Sequence, residues 1–156
     1  MYKRQILFAV KQTRHSFLKN EGYVSVGLIK TETNHYQIKS KINDINGLFI
    51  LDTGASNTCV DLNLFKRFNL VFEDSEIKAS SATDLMSETK ISKKNNLQIG
   101  KWINNNCPVI LFKMDHINRA LSEREIQNVD GIIGADILKK GKAIIDYEKN
   151  RLYLKL

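Results

Sequence analysis

Two short apolar runs, each tied to glycine, restrict this chain more than any other feature. In the first, Leu48-Phe49-Ile50-Leu51 runs straight into Asp52-Thr53-Gly54-Ala55-Ser56. A carboxylate directly behind four apolar residues is costly to desolvate unless something compensates for it. The four show no alternation, which predicts a strand covered on both faces, and the small residues after Asp52 predict a tight turn. The second run, Gly131-Ile132-Ile133-Gly134, stands far downstream. An apolar pair flanked by glycines can pack against the loop that bears the acid, and Gly54 leaves room for a ligand backbone. Taken alone, Asp-Thr-Gly also reads as a polar turn in which Asp52 accepts backbone hydrogen bonds. The apolar run before it favours an acid at the floor of a cleft.

The 156 residues suit one domain with a sizeable core. Apolar residues at 42% and charged residues at 26% exclude a disordered chain. No window approaches the ~18 apolar residues of a membrane span, so no membrane partner is expected. Basic residues precede an apolar patch at Ile6 to Val10, as in a secretion signal, but the patch is too short and no small-residue cleavage site follows. A cytoplasmic protein with an amphipathic N-terminal helix is expected. Cys59 and Cys107 have neither metal spacing nor a disulfide framework and read as buried free thiols. His15, His35 and His116 are scattered, so no metal and no cofactor are expected. The net charge of +7 is spread along the chain without an aromatic-interleaved basic cluster, which argues against a nucleic-acid partner.

Hydrophobic spacing predicts a helix over residues 2–19, then strands over 23–28 and 36–39. Asn43-Asp44-Ile45-Asn46-Gly47 reads as a turn leading into the strand 48–51. Asp61 caps a short helix. A hairpin over 77–91 has a small polar tip, Ser80-Ser81-Ala82-Thr83-Asp84. Further strands are expected over 97–100 and 109–112, and a helix from Asp115 through Leu121. Residues 135–140 form a helix stopped by Gly141, and 143–147 with 152–156 make a last hairpin. The fold class is mostly β with two or three short helices. Residues 1–22 read as an N-terminal helical extension and 23–156 as the main domain, with no linker between them.

Over residues 23–156 these elements resemble the retropepsin-like aspartic proteases, the single-lobed relatives of pepsin. The matching stretches are Phe49-Ile50-Leu51-Asp52-Thr53-Gly54-Ala55-Ser56 and Gly131-Ile132-Ile133-Gly134-Ala135-Asp136-Ile137-Leu138, with the 77–91 hairpin between them where the family has its flap. The resemblance implies a closed β-barrel, the acid protease lobe, acting as an aspartic endopeptidase on peptide or protein substrates. It implies that Asp52 is the catalytic acid or base. Thr53 would lock two loops together across a dimer axis, and Gly54 would offer its carbonyl to substrate. Ala55, Ser56, Ser81, Ala82, Thr83 and Ile133 would line the substrate. Aspartic proteolysis needs two carboxylates sharing one proton. This chain has one Asp-Thr-Gly, and neither Asp136 nor Asp146 is followed by Thr-Gly or Ser-Gly, so a homodimer is expected.

The departures from the family are specific. The flap tip contains no glycine. Ser56 and Ala135 stand where retroviral enzymes pair an acid with an arginine, so a different loop brace is expected. Asp136 is the candidate, as a cap of the helix after it or as an acceptor for nearby backbone. Ala55 has no hydroxyl to donate, which implies a working range nearer neutral. The apolar strand 152–156 either pairs across the dimer or within the subunit. The alternative function is a non-catalytic peptide-binding or dimerisation module that keeps the cleft.

Overall fold

In the computed structural model, residues 11–76 and 88–156 are described. The expected flap tip, with Ser81, Ala82 and Thr83, and residues 2–10 of the expected first helix lie outside them. In chain order the elements are α1 (Arg14–Asn20), β1 (Tyr23–Gly27), β2 (Ile29–Lys30), β3 (Tyr36–Ile42), β4 (Ile45–Leu51), β5 (Cys59–Asp61), a 3₁₀ turn (Leu62–Leu64), β6 (Glu73–Asp74), β7 (Lys90–Ile99), β8 (Trp102–Phe112), α2 (Asp115–Ser122), β9 (Gly131–Ile133), α3 (Ala135–Lys140), β10 (Ile144–Asp146) and β11 (Arg151–Lys155). Among the described residues no helix is long and apolar enough to cross a membrane.

Six strands close a barrel in the order β3-β4-β9-β5-β8-β7, with β3 pairing back onto β7; β2 and β6 extend its rim. Alternation sends Phe49 and Leu51 of β4 into this barrel with Ile38, Ile42, Val60, Leu97, Leu111 and Ile133. Each fully buried side chain of this size contributes roughly 1.5–3 kcal/mol relative to exposure. β9 threads between β4 and β5, and there the fit is tight. A Cβ on Gly131 would run into the Cys59 carbonyl and come within 2.9 Å of the Phe49 ring, so only glycine lets the ring lie against β9.

Several strands are longer than the sequence predicts. The turn before β4 is only Asn43-Asp44, whose φ values of 49° and 66° suit a tight two-residue hairpin, so Asn46 and Gly47 join the ladder. β7 and β8 run through polar Ser92-Lys93-Lys94-Asn95 and Asn104-Asn105-Asn106, which carry no strand signature. Register shifts between Ser92 and Asn95 and between Asn95 and Leu97 accommodate them.

A second sheet, β1-β11-β10, carries the termini of the described chain. Of the two placements open to the apolar strand 152–156, the structure takes the internal one. β11 lies between β1 and β10, with Leu152, Tyr153 and Leu154 buried, and offers no free edge to a second copy. α1 begins at Arg14, behind a Thr13 capping box with Ser16. It docks on the final hairpin through Arg14 Nη1, which donates to Asp146 Oδ2 at 2.6 Å, and through His15 Nδ1, 3.2 Å from the Tyr153 hydroxyl.

Candidate active site

The position of Asp52 follows from the strand inserted beside it. Parallel pairing sets Ile50 opposite Ile132 and Leu51 opposite Ile133. The Asp52 N–H extends that ladder by donating to the Ile133 carbonyl at 3.0 Å. The chain then turns at once, with the Ala55 N–H donating to the Asp52 carbonyl at 3.3 Å. Within the turn the Gly54 N–H donates to Asp52 Oδ1 at 2.8 Å. One carboxylate oxygen is thereby oriented by backbone while the side chain stays exposed on the single chain.

The loop is braced from behind. The fully buried Thr58 donates its N–H to Asp136 Oδ2 at 3.0 Å and its hydroxyl to Asp136 Oδ1 at 2.8 Å, while that hydroxyl accepts the Gly134 N–H at 3.0 Å. The Ala135 N–H donates to the Ala55 carbonyl at 2.7 Å. Asp136 is therefore not the helix cap. Gly134 holds that position, and Asp136, in the first turn of α3, aims its carboxylate back at the loop. A Cβ on Gly134 would lie 2.7 Å from the Asn57 carbonyl, so the close approach that permits this network requires glycine. Neutral donors here perform the bracing for which retroviral enzymes use an acid and an arginine.

Alternation assigns the remaining roles. Ile50, Ile132 and Cys59 are register partners across β4, β9 and β5 and lie half-buried on the side opposite the barrel core. Asp52, two residues beyond Ile50, continues that side of the strand. Ile133, expected at the substrate, is instead fully buried in the barrel, because it occupies the inward position of β9. Its neighbour Ile132 takes the outward one. Cys59 is no nucleophile, since burial and then the charges of Asp136 and Asp52 push its thiol up to about 12.

Thr53, Ala55 and Ser56 share the loop with Asp52 and Gly54. Thr53 and Ser56 are exposed and Ala55 is half-buried. Thr53 lines a largely apolar groove with Ala135, Leu138, Ala143 and Ile145, beside β10, to which Lys139 and Lys142 also contribute. Among the described residues no group of three or more His, Cys, Asp or Glu is placed to hold a metal ion. Sequence reasoning did not single out Thr58, Ile132 or Cys59 for this site. Counting strand alternation back from Asp52 reaches only Ile50, whereas Ile132, Cys59 and the Thr58 contact depend on pairings too distant in sequence to leave a local signal.

The fold and loop have counterparts among known proteins. A family profile described as aspartyl protease matches residues 38–137. No curated protein matches the sequence. Among solved structures, a retropepsin-like aspartic protease from Rickettsia conorii is similar at 18% identity and TM-score 0.54, over 85% of this chain and 90% of that one. The retroviral protease-like domain of Ddi1 from Leishmania major is similar at 17% identity and TM-score 0.50, over 76% of this chain and 86% of that one. The EIAV protease bound to an inhibitor is similar at 15% identity and TM-score 0.54, over 76% of this chain and 98% of that one. With the family profile spanning most of the barrel and including the carboxylate loop, the chain belongs to the aspartyl protease family and has the retropepsin-like fold.

Proposed function

We propose that the protein is an aspartic endopeptidase that works as a homodimer, with Asp52 of each copy forming a two-carboxylate site. The observation that carries this reading is the lone Asp52-Thr53-Gly54 loop. It presents one exposed carboxylate, oriented by the Gly54 N–H, on a lobe that supplies no second Asp-Thr-Gly or Asp-Ser-Gly. Two such carboxylates share one proton, because like charges so close cannot both ionise. The ionised one takes a proton from water as its oxygen attacks the scissile carbonyl, and the protonated one gives its proton to the carbonyl oxygen. Collapse of the tetrahedral diol then returns a proton to the departing amide nitrogen.

The exposed Thr53 and the groove running from it to Ile145 support a second copy seated at this face, since the edge of β10 away from β11 has no strand beside it among the described residues. The free thiols of Cys59 and Cys107 fit a reducing compartment such as the cytoplasm.

The test compares wild type with Asp52→Asn on a diverse peptide mixture from mildly acidic to neutral pH, read by mass spectrometry, with sedimentation to measure the oligomer. Cleavage lost by at least ~10³-fold in a folded, dimeric Asp52→Asn is the expected result. Equal cleavage by both proteins would sink the assignment. A folded wild type that binds peptides without cutting them would point to the non-catalytic module.

A further inference from the structure

α2 belongs to none of the strands of the barrel, yet it is fastened close to the carboxylate site. Its Asn118 side chain clasps the backbone of Val129 from both sides. Nδ2 donates to the Val129 carbonyl at 3.0 Å, and the Val129 N–H donates to Oδ1 at 2.8 Å. Val129 stands just ahead of β9, the strand that carries Ile132. The Ser122 hydroxyl adds a bond to Asn128 Oδ1 at 2.8 Å. The helix is therefore held at a set distance from the outward row Ile50-Ile132-Cys59.

The two faces of α2 differ in chemistry. Asp115, Asn118, Arg119 and Ser122 line a polar groove opposite Asp61 and Asp130. Ile117 and Leu121, at helical i,i+4 spacing, pack on a small apolar cluster that is separate from the barrel core. The buried floor of that cluster is Leu48, Phe112, Met114 and Val129, and its half-buried rim is Ile117 and Leu121 together with Ile50, Ile132 and Cys59. Ile50 and Ile132 beside Asp52 and the inner face of α2 thus pack on one apolar floor, and these rim residues are half-buried in the structure.

We infer that α2 is the outer wall of a substrate subsite, where Ile117 and Leu121 meet a bulky apolar substrate side chain lying over Ile50, Ile132 and Cys59 and set the size that is accepted. This rests on the protease reading for its consequence in cleavage, but the contact itself can be observed without turnover. The occupant is a substrate side chain because the rim includes Ile50, on the strand that leads into Asp52, so a peptide placed for attack at that carboxylate lays its side chains along the row. Asn118 makes the helix a positioning element, and Ile117 and Leu121 are the specificity-determining pair.

Two measurements test it, both on the full chain with short peptides carrying Val, Leu, Phe or Trp in turn at each central position. In the first, wild type, Ile117→Ala, Leu121→Ala and the opposite-face control Arg119→Ala are compared for the ratio of kcat/KM on Trp-containing and Val-containing peptides. The ratio should rise about 10-fold or more in either enlarged variant and stay unchanged in Arg119→Ala, since a methylene-scale change in an apolar pocket is felt on that scale. Ratios equal across all four proteins overturn the wall. In the second, the methyl resonances of Ile117, Leu121 and Ile132 are followed in Asp52→Asn while the same peptides are added. Joint shifts of all three are expected. Shifts at Ile132 alone, or at none of them, overturn the inference. Loss of the protease reading would register only in the comparison of wild-type and Asp52→Asn cleavage, so the two failures are separable.

Discussion

Asp136 and Asp146 stand at either end of α3 and the strand after it, and the fold treats them in opposite ways. Asp136 is held by neutral groups, the N–H and hydroxyl of Thr58 and the N–H of Ile137 at 2.8 Å. Asp146 is held by a cation, with Arg14 at 2.6 Å and the Lys149 N–H at 3.0 Å behind it. Asp136 works beside the Asp52 loop, where Thr58 ties it to Gly134, and Asp146 works behind the final hairpin, where the charged pair ties α1 down. The expected price of the cationic arrangement is sensitivity to salt.

Removing the neutral brace should have the largest effect. Asp136→Ala strands the buried N–H and hydroxyl of Thr58 and should cost about 3 kcal/mol in urea unfolding, with cleavage falling further than stability explains. Thr58→Val is the sharper probe. It deletes the hydroxyl that bridges Gly134 and Asp136 while keeping the shape, and should cost about 2 kcal/mol, whereas Thr58→Ser should stay within ~0.5 kcal/mol of wild type. Should Val and Ser behave alike, the hydroxyl is not what holds the loop, and the contrast with Asp146 loses its basis.

The smallest effect concerns the cationic pair. The Arg14 guanidinium first, and then the Lys149 N–H, hold the Asp146 carboxyl below its usual range. A carboxyl depressed in the folded state adds stability that is complete above its unfolded value of about 3.9 and is lost as pH falls through the lowered value. Arg14→Ala should lower neutral stability only slightly, because Arg14 itself is exposed, and its deficit should shrink as pH falls through the lowered Asp146 value. It should move the acid unfolding midpoint upward and make that midpoint less responsive to added salt. Superimposable acid transitions for the two proteins would place the anchoring of α1 elsewhere.

Much of this was legible from local pattern. The run ending in Leu51, the Asp-Thr-Gly turn, α3 with its Gly141 stop and the last hairpin each follow from spacing and turn chemistry over a few residues. What stayed hidden depends on partners far away in sequence. Polar Asn104-Asn105-Asn106 becomes strand because β7 supplies the ladder, so tertiary pairing overrides weak propensity. Ile133, expected at the substrate, faces the core and Ile132 faces outward because adjacent strand residues face opposite sides, and the phase of a three-residue strand cannot be read before its neighbours are known. The ion pair of Arg14 with Asp146 joins opposite ends of the chain and leaves no periodic trace. Thr58 sits in an unremarkable polar stretch and matters only because Gly134 lets the backbone come close.

The threading of β9 also has a kinetic consequence. β4 and β5 are near neighbours in the chain, but no hydrogen bond joins them in the sheet, and the strand that fills the gap arrives only after β6, β7, β8 and α2. Closing so long a loop is entropically slow, and it must happen before the Asp52 N–H finds the Ile133 carbonyl. A partly folded chain therefore has its acid without the ladder that aims it. On the proposed protease function, cutting power is acquired late in folding, when β9 is already home, and a folding population carries little half-formed protease able to attack its own unfolded copies.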